Sequence, residues 1–488
     1  MGLITRRKFI QAGLGALTAA GLGLGPFPGP ASGKKPEGLL GPDGGKPNFI
    51  VFLVDMVRPD HLGLYGYPKN TSPHLDRLAE KALVFDQAYA PASWTLPSVV
   101  SLLTGLSPSA HGATHLEAMA TVTLTENWLP RVFGNMGYRT ACFHTHPYLR
   151  EETSNIHRGF EHYCDPSRSF FLKTPGRRGD FSLYMFMDTL YPALEGWLAE
   201  NHDEPFFIYL HAIDVHGHYY KFRVLEEDRE AFGRGLADGS IKIPLTEYGW
   251  PMAHAVPNPH KSYLYDGHIY FVDGYFGRLL SLLEELGLSG RTYVVYTSDH
   301  GEGFGEHHDW WSHGRYAYEH QIRVPLVLLP PAGSGLAGGR VPHLVNTTGL
   351  LPTLLDLVGL NVDEYVDGKS FLPLLAPAEI ANWHYPSFSE SGRHDWSRET
   401  YDGFLAAGGY KLVTNNKTGD QVLFDLGTDP GELAPLGPRE AADRGLEEAM
   451  SGLVQARSRY IAALKTQETE TRDLDPETLE RLKDLGYM

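Results

Sequence analysis

The sequence predicts an α/β fold with a central, mostly parallel β-sheet and a smaller α+β subdomain towards the C-terminal end. Three apolar runs lack alternation with polar residues, which is typical of strands buried on both faces of a parallel sheet. The runs cover residues 48–54, 205–210 and 292–296, and each leads into an aspartate. A helix with strongly periodic apolar residues precedes the third run. Strands that alternate with helices indicate an α/β sheet.

The first 33 residues are predicted to be an export signal that lies outside the fold. Arg6 and Arg7 precede an apolar run from Ala12 to Leu24, and small residues follow through Gly33. Paired arginines before a short apolar segment are typical of a signal read by the twin-arginine export machinery, which predicts a periplasmic or extracellular protein. The alternative is a membrane anchor, but the run is shorter than the ~20 residues that a spanning helix needs.

Composition divides the rest of the chain into three parts. Residues 34–46 are rich in Gly, Pro and Lys, and they are interpreted as a linker. The strand and helix pattern extends over residues 47–375, and a Gly-, Pro- and aromatic-rich stretch at 165–262 is predicted to be an insertion over the cleft. Residues 376–488 contain shorter strand-like pieces and an acidic helical tail, which predicts the smaller subdomain.

Charge and cysteine content narrow the class of protein. The 42 basic and 59 acidic residues give a net charge of -17, which argues against a broad surface for nucleic-acid phosphates. Cys142 and Cys164 are the two cysteines of the chain. They could pair in an oxidising compartment, but we expect buried free thiols.

The aspartates at the strand ends are the first candidates for chemistry. Ligands of α/β sheets bind beyond the carboxyl ends of the strands, so we expect Asp55, Asp214 and Asp299 to meet in one cleft. His300 follows Asp299 directly, and Gly301 permits a turn that would let both side chains reach one metal ion.

Histidines supply further candidates near the second and third strand ends. Asp214 with His218 could ligate an ion, and His216 between them could instead contact substrate. His313 lies in a Gly-flanked loop, and His144 and His146, at the end of a predicted strand at 138–143, could face the cleft.

Thr95 begins the segment Thr95-Leu96-Pro97-Ser98, which is predicted to open a helix. One interpretation is structural, because threonine is a frequent helix N-cap. The other is that its hydroxyl is a nucleophile, since a helix N-terminus favours an anionic ester and a metal ion can lower the pKa of the hydroxyl.

These motifs, in their order along the chain, resemble the sulfatase family of the alkaline phosphatase superfamily. The matching segments are 48–55, 58–66, 95–105, 107–112, 299–302, 318–325 and 423–432. The resemblance implies an alkaline phosphatase-like sandwich from about residue 47 onwards. It also implies a metal-dependent hydrolase that cleaves sulfate or phosphate esters of small molecules, glycans or lipids.

The chain departs from the family pattern at several positions. Thr95 stands where family sulfatases carry the Cys or Ser that is converted to formylglycine, and threonine cannot form that aldehyde. Val99 replaces the arginine of the same motif, and Met56 replaces the second aspartate after the first strand. The lysine expected after Asp299-His300 has no counterpart, because residues 301–340 contain none.

What remains is similar to the two-metal phosphatases and phosphodiesterases of the superfamily. That resemblance implies one ion at Asp55, Asp299, His300 and Thr95. It implies a second at Asp214, His218 and His313, unless His216 is the functional residue in place of His218. Imidazole ligands favour Zn²⁺ or Mn²⁺, with Ca²⁺ or Mg²⁺ as alternatives. The competing hypothesis is a catalytically retired relative that binds anionic glycans or acts as a scaffold.

Overall fold

The computed structural model describes the greater part of the chain. The described residues are 45–114, 119–121, 128–151, 153–166, 187–216, 223–238, 260–307, 312–360, 362, 366–375, 383, 385–391, 400–405, 409–443, 446–463 and 470–472. The export signal and almost all of the predicted linker lie outside them. Both therefore stay predictions.

The strands and helices are numbered in chain order. The strands are β1 Asn48–Val54, β2 Leu83–Tyr89, β3 Met119–Thr121, β4 Arg139–His144, β5 His162–Cys164, β6 Phe206–Ala212, β7 Thr292–Thr297, β8 Leu326–Leu329, β9 Gly339–Asn346, β10 Ser387–Glu390, β11 Tyr401–Leu405, β12 Tyr410–Asn415, β13 Gln421–Asp425 and β14 Glu470–Arg472. The α-helices are α1 Pro73–Asp76, α2 Thr95–Thr104, α3 Pro108–His111, α4 Leu129–Asn135, α5 Met187–Asn201, α6 Arg229–Asp238, α7 His260–Glu285, α8 Glu319–Ile322, α9 Leu350–Leu357, α10 Pro438–Asp443 and α11 Glu447–Ala463.

The main sheet has eight strands within the described ranges, in the order β5-β4-β6-β1-β7-β8-β2-β9. β1 lies between β6 and β7 and runs parallel to both, and β4 runs parallel to β6. β8 runs antiparallel to both of its neighbours. Every residue of β1, β6 and β7 is buried, as the unbroken apolar runs predicted. The prediction of a mostly parallel central sheet is therefore confirmed.

Helices cover both faces of this sheet, because successive residues of a strand point to opposite sides. Phe49 and Val51 of β1 pack against one layer, which includes α2 and α9. Ile50 and Phe52 pack against the other layer, which includes α5 and α7. The central strand thus contributes apolar side chains to two cores.

The predicted insertion at 165–262 is narrower than expected. Residues 187–212 within it form α5 and β6, which belong to the sheet and its core. The reason is that α5 buries an apolar stripe, including Leu190, Leu194 and Leu198, against β6 and its neighbours. Residues 167–186, 217–222 and 239–259 lie outside the described residues.

The C-terminal region forms a separate antiparallel sheet in the order β10-β11-β12-β13. Its own core contains Phe404 and Leu412 from the sheet and Leu453 from α11. This arrangement confirms the smaller α+β subdomain. None of the helices in the described ranges combines the length and the apolar character that a membrane span requires.

The two cysteines are free thiols. Cys142 lies opposite Tyr163 in the parallel pair of β4 and β5, whereas Cys164 lies opposite Phe143. Residues that are one step apart in register point to opposite faces of a sheet. Cys142 accordingly packs in one core and Cys164 against the other. The expectation of unpaired thiols is confirmed, whereas burial holds for Cys142 and Cys164 is only partly buried.

Candidate functional site

Asp55 and Asp299 lie side by side because β1 and β7 are parallel neighbours that end at the same level. Leu53 is in register with Thr297, and each aspartate follows two residues later. Both side chains are almost completely buried, as is His300. The Nε2 atom of His300 lies 3.5 Å from Oδ1 of Asp55 and 3.5 Å from Oδ2 of Asp299.

The tautomer of His300 follows from its second ring nitrogen. Nδ1 lies 2.8 Å from the carbonyl oxygen of Gly301. A carbonyl only accepts hydrogen bonds, so Nδ1 carries the proton and Nε2 presents a lone pair. Burial lowers the pKa of His300, which keeps the ring neutral.

Three acceptor atoms therefore converge at one point. They are Nε2 of His300, Oδ1 of Asp55 and Oδ2 of Asp299, and the ligand atoms of this group lie within 4.8 Å of one another. Neither carboxylate oxygen has a hydrogen-bond partner within the described part of the chain. Burial, with the charge of Asp299, raises the pKa of Asp55 well above its usual range. A cation would satisfy both carboxylate oxygens and would oppose the rise in the pKa of Asp55, so the donor set fits a metal ion.

The backbone at Met56 holds the two aspartates in this arrangement. Met56 adopts φ 63°, a left-handed conformation that is uncommon for a residue other than glycine. Its N–H donates to Oδ1 of Asp299 at 3.2 Å, and its carbonyl accepts from the hydroxyl of Tyr265 at 2.6 Å. The position where the family has a second aspartate thus supplies a backbone donor.

Thr95 is the first residue of α2, and it is not the N-cap. Trp94 holds the N-cap position with an extended backbone, and no side chain caps this helix. The structural interpretation of Thr95 as a cap is therefore wrong by one residue. Its hydroxyl instead points away from the helix ladder, with Oγ1 3.2 Å from Nε2 of His300. The hydroxyl joins the group of Asp55, Asp299 and His300.

Two further histidines contact Asp55 from the opposite side. The Nε2 atoms of His146 and His211 each lie 3.3 Å from Oδ2 of Asp55. The N–H of Tyr148 donates to Nδ1 of His146, so in the neutral ring Nε2 carries the proton and donates to Asp55. Burial lowers the pKa of His146 well below its usual range and that of His211 to about 4.

The sequence gives only a weak indication of these two residues. His146 was a candidate for facing the cleft, whereas His211 was not singled out. Its signal is a lone imidazole in the apolar strand β6, in register with Leu53 of β1. These two histidines and Asp55 also form a group with metal-ligand spacing. The proton on Nε2 of His146 makes a hydrogen-bonded support for Asp55 the better interpretation.

His313 and His216 border the same group. The ring centroid of His313 lies 4.5 Å from that of His300 and 5.2 Å from that of His216. Nδ1 of His313 lies 3.6 Å from Oε1 of Glu302. His313 thus lies beside His300, and His216 lies beside His313.

Asp214 has a different environment from the one expected. Both of its carboxylate oxygens lie 3.1 Å from the N–H of Met187 and accept from it at the start of α5. Burial raises the pKa of Asp214 to about 7. Asp214 belongs to neither group with metal-ligand spacing in the described ranges, and His218 lies outside them. The second ion at Asp214, His218 and His313 stays a prediction.

Comparison with known families gives two matches. A model described as Sulfatase matches residues 47–360. A model described as N-sulphoglucosamine sulphohydrolase, C-terminal, matches residues 305–456. The first match includes every residue of the group around Asp55, and the second overlaps the antiparallel subdomain.

Individual proteins are similar over most of their length. An arylsulfatase of Clostridium perfringens is 24% identical over 453 residues, which cover 80% of this chain and 90% of that protein. Among solved structures, one is a protein in complex with its substrate D-glucosamine-2-N,6-O-disulfate, with a TM-score of 0.65 and 20% identity. The match covers 86% of this chain and 98% of that protein. The phosphonate monoester hydrolase of Agrobacterium radiobacter is 20% identical, with a TM-score of 0.64. The match covers 88% of this chain and 100% of that hydrolase.

Proposed function

The chain belongs to the sulfatase family of ester hydrolases, and from this premise we propose that it cleaves phosphate or sulfate esters with Thr95 as nucleophile beside a divalent metal ion. One observation carries the proposal. Three oxygen atoms lie within 3.5 Å of Nε2 of His300. They are Oγ1 of Thr95 and the two unsatisfied carboxylate oxygens of Asp55 and Asp299. No packing or capping role accounts for that convergence.

Asp55, Asp299, His300 and Thr95 are the proposed ligands of this ion. Members of the family use a divalent metal, and the donor set here contains two carboxylate oxygens, one imidazole nitrogen and one hydroxyl. An imidazole ligand favours Zn²⁺ or Mn²⁺ over Ca²⁺, which prefers oxygen alone. When bound, the ion would lower the pKa of the Thr95 hydroxyl and neutralise charge on the ester oxygens.

The side chains themselves account for positioning and proton transfer. The hydroxyl of Thr95 loses its proton to solvent and Oγ1 attacks phosphorus or sulfur, the bond to the leaving oxygen breaks, and the phosphoryl or sulfuryl group is transferred to Thr95. The N-terminal end of α2 favours the negative charge of the bound ester. A protonated imidazole of His313 or His216 supplies the proton to the leaving alcohol. Attack of water on the threonine ester then breaks the bond to Oγ1 and restores the hydroxyl.

The chemistry of Thr95 favours phosphate esters over sulfate esters. Formylglycine helps a sulfatase because its hydrated form expels sulfate as it returns to the aldehyde. A threonine sulfate has no such exit and requires attack of water at sulfur. A threonine phosphate can be hydrolysed at phosphorus. We therefore expect phosphate mono- or diesters to react faster than matched sulfate esters.

The test compares Thr95→Ala with Thr95→Ser on metal-loaded protein. The substrates are 4-nitrophenyl phosphate, bis(4-nitrophenyl) phosphate and 4-nitrophenyl sulfate, which share one leaving group. Alanine should lower kcat by at least roughly 10³-fold, as the loss of a nucleophile does, and serine should retain much of the rate. Metal content is measured for each variant, because Thr95 is also a proposed ligand.

Three outcomes would contradict parts of the proposal. An alanine variant with a near-normal rate would assign the attack to metal-bound water. A clear preference for the sulfate ester would show that Thr95 does not limit the chemistry as argued. Metal-loaded wild type that cleaves none of the three esters would favour a catalytically retired protein.

A further inference from the structure

A cavity of about 780 Å³ opens between α6 and α7, and none of the residues of the Asp55 group line it. Its described walls contain three arginines, Arg223, Arg229 and Arg278, and no acidic residue. The whole chain carries a net charge of -17, so cations alone among the described lining residues run against the composition. A solvent-filled cleft between two helices would not require this selection of charges.

Two of the arginines lie over aromatic rings. The guanidinium carbon of Arg223 is 3.1 Å from the ring centroid of Phe271. That of Arg278 is 4.4 Å from the centroid of Tyr191 and 5.1 Å from that of Tyr275. Stacking occupies the flat face of a guanidinium and directs hydrogen bonding to its in-plane N–H edge, which matches a planar or tetrahedral oxyanion.

Acidic residues that do not line the cavity pair with two of the three arginines. Arg223 pairs with Asp188 at 3.7 Å, and burial lowers the pKa of Arg223. Arg229 pairs with Glu226 on the exposed surface. Within the described ranges Arg278 makes no ion pair. Among the described residues that line the cavity, the charged ones are therefore all cations, and an anion would meet no like charge there.

The cavity also has room and an apolar surface for the body of a ligand. Phe232 and Phe271 line it, and so do Gly233 and Gly274. A Cβ atom added at either glycine would meet no atom within 4 Å, so both positions border open space.

We propose that this cavity binds a small organic anion, in which a carboxylate, sulfate or phosphate group contacts the arginines and a ring packs on the aromatic residues. Its ring is either aromatic or a sugar, since both stack on aromatic side chains. The site goes beyond the proposed hydrolysis, and it does not depend on Thr95. Failure of either proposal therefore leaves the other unaffected.

Two sulfonates are suitable probes, because an ester hydrolase cannot cleave their carbon–sulfur bond. Naphthalene-2-sulfonate represents an aromatic anion and 6-deoxy-6-sulfoglucose a sugar anion. Isothermal titration of the full chain should show saturable binding of at least one, and the tighter probe identifies the kind of ring. Uncharged 2-naphthol should bind more weakly than naphthalene-2-sulfonate, and added salt should weaken the sulfonates.

Two pairs of variants locate the binding. Arg278→Met should lower the affinity roughly tenfold, because one charge-assisted contact is lost, whereas Arg234→Met on α6 should not. Gly274→Trp should abolish binding by filling the cavity. Gly196→Trp on α5 is the matched control, since a Cβ there also meets nothing within 4 Å. Circular dichroism confirms that all four variants are folded.

Binding that survives Gly274→Trp would place the probes elsewhere, including the hydrolase site, and would overturn the proposal. An equal loss with Arg234→Met would reduce the effect to general electrostatics and would also overturn it. So would the absence of saturable binding by both probes.

Discussion

Lys411 is expected to hold the C-terminal subdomain against the main domain. The side chain is fully buried in β12, and its Nζ lies 3.0 Å from Oε1 of Glu319 and 2.8 Å from Oε1 of Glu432. Glu319 belongs to α8 of the main domain, and its second oxygen accepts from the hydroxyl of Tyr89 at 2.8 Å. Lys411→Met keeps the length of the side chain and leaves the buried carboxylate of Glu432 and the partly buried one of Glu319 without their cation.

The contacts of Lys411 set the size of the expected loss in the free energy of unfolding. Removal of one partner from a buried ion pair costs about 3–5 kcal/mol, because the remaining charge stays desolvated. Burial already raises the pKa of Glu432 to about 7, and Lys411 is the main opposing influence. Loss of Lys411 raises that pKa further, so protonation limits the cost at low pH. We expect a loss of about 3 kcal/mol at neutral pH, roughly a 10²-fold change in the unfolding constant.

The loss of stability in Lys411→Met should depend on pH, and the pKa of Glu432 gives the direction. A carboxyl group with a raised pKa in the folded state stabilises the fold below its unfolded pKa and loses this contribution as pH rises through the folded value. The destabilisation of Lys411→Met should therefore be larger at pH 8.5 than at pH 6.

Urea unfolding followed by tryptophan fluorescence at both pH values is the assay, and limited proteolysis reports the release of the subdomain. Lys417→Met, on the exposed turn after β12, is the matched control. Combining Lys411→Met with Glu319→Gln and Glu432→Gln should recover most of the stability. A Lys411→Met protein as stable as the control at both pH values would refute the reasoning.

Three further predictions concern metal, export and pH. Purified protein should contain at least one Zn²⁺ or Mn²⁺ ion by mass spectrometry, and Asp299→Asn should lose it; a stable metal-free wild type with activity unaffected by chelators would contradict this. Replacing Arg6 and Arg7 with Lys should leave the protein in the cytoplasm, and unchanged export would rule out the twin-arginine signal. Burial raises the pKa of Glu390 to about 8, so Glu390→Gln should stabilise the protein at pH 9 relative to wild type but not at pH 5; equal unfolding midpoints at both would exclude a pH-dependent role.

The sequence predicts the group around Asp55 because local patterns mark the ends of β1 and β7. An unbroken apolar run followed by Asp55 or by Asp299-His300 identifies a strand end, and neighbouring parallel strands bring such ends together. His211 could not be predicted in this way, because its contact with Asp55 depends on β6 lying next to β1. Strand order is a property of the whole sheet and leaves no local pattern in the chain.

Asp214 and Thr95 show two other features that sequence patterns do not predict. Asp214 follows β6 by two residues and accepts a hydrogen bond from Met187, which begins a helix 27 residues earlier in the chain. A partner at that separation cannot be identified from a strand-end motif. For Thr95 the helix was predicted, but its boundary was misplaced by one residue. One residue at a helix start decides between a cap and a hydroxyl that is available for chemistry.

The position of β1 has a consequence for how the chain is made. This strand is synthesised first among those of the main sheet, yet both of its neighbours, β6 and β7, come much later. Roughly 150 residues separate β1 from β6, which at about 5–20 residues per second leaves the apolar segment Asn48–Val54 without its sheet partners for about 8–30 s on the ribosome. An unpaired apolar strand of this kind is prone to aggregate. We therefore expect the nascent chain to benefit from shielding of this segment, and the group around Asp55 cannot assemble until Asp299 has left the ribosome.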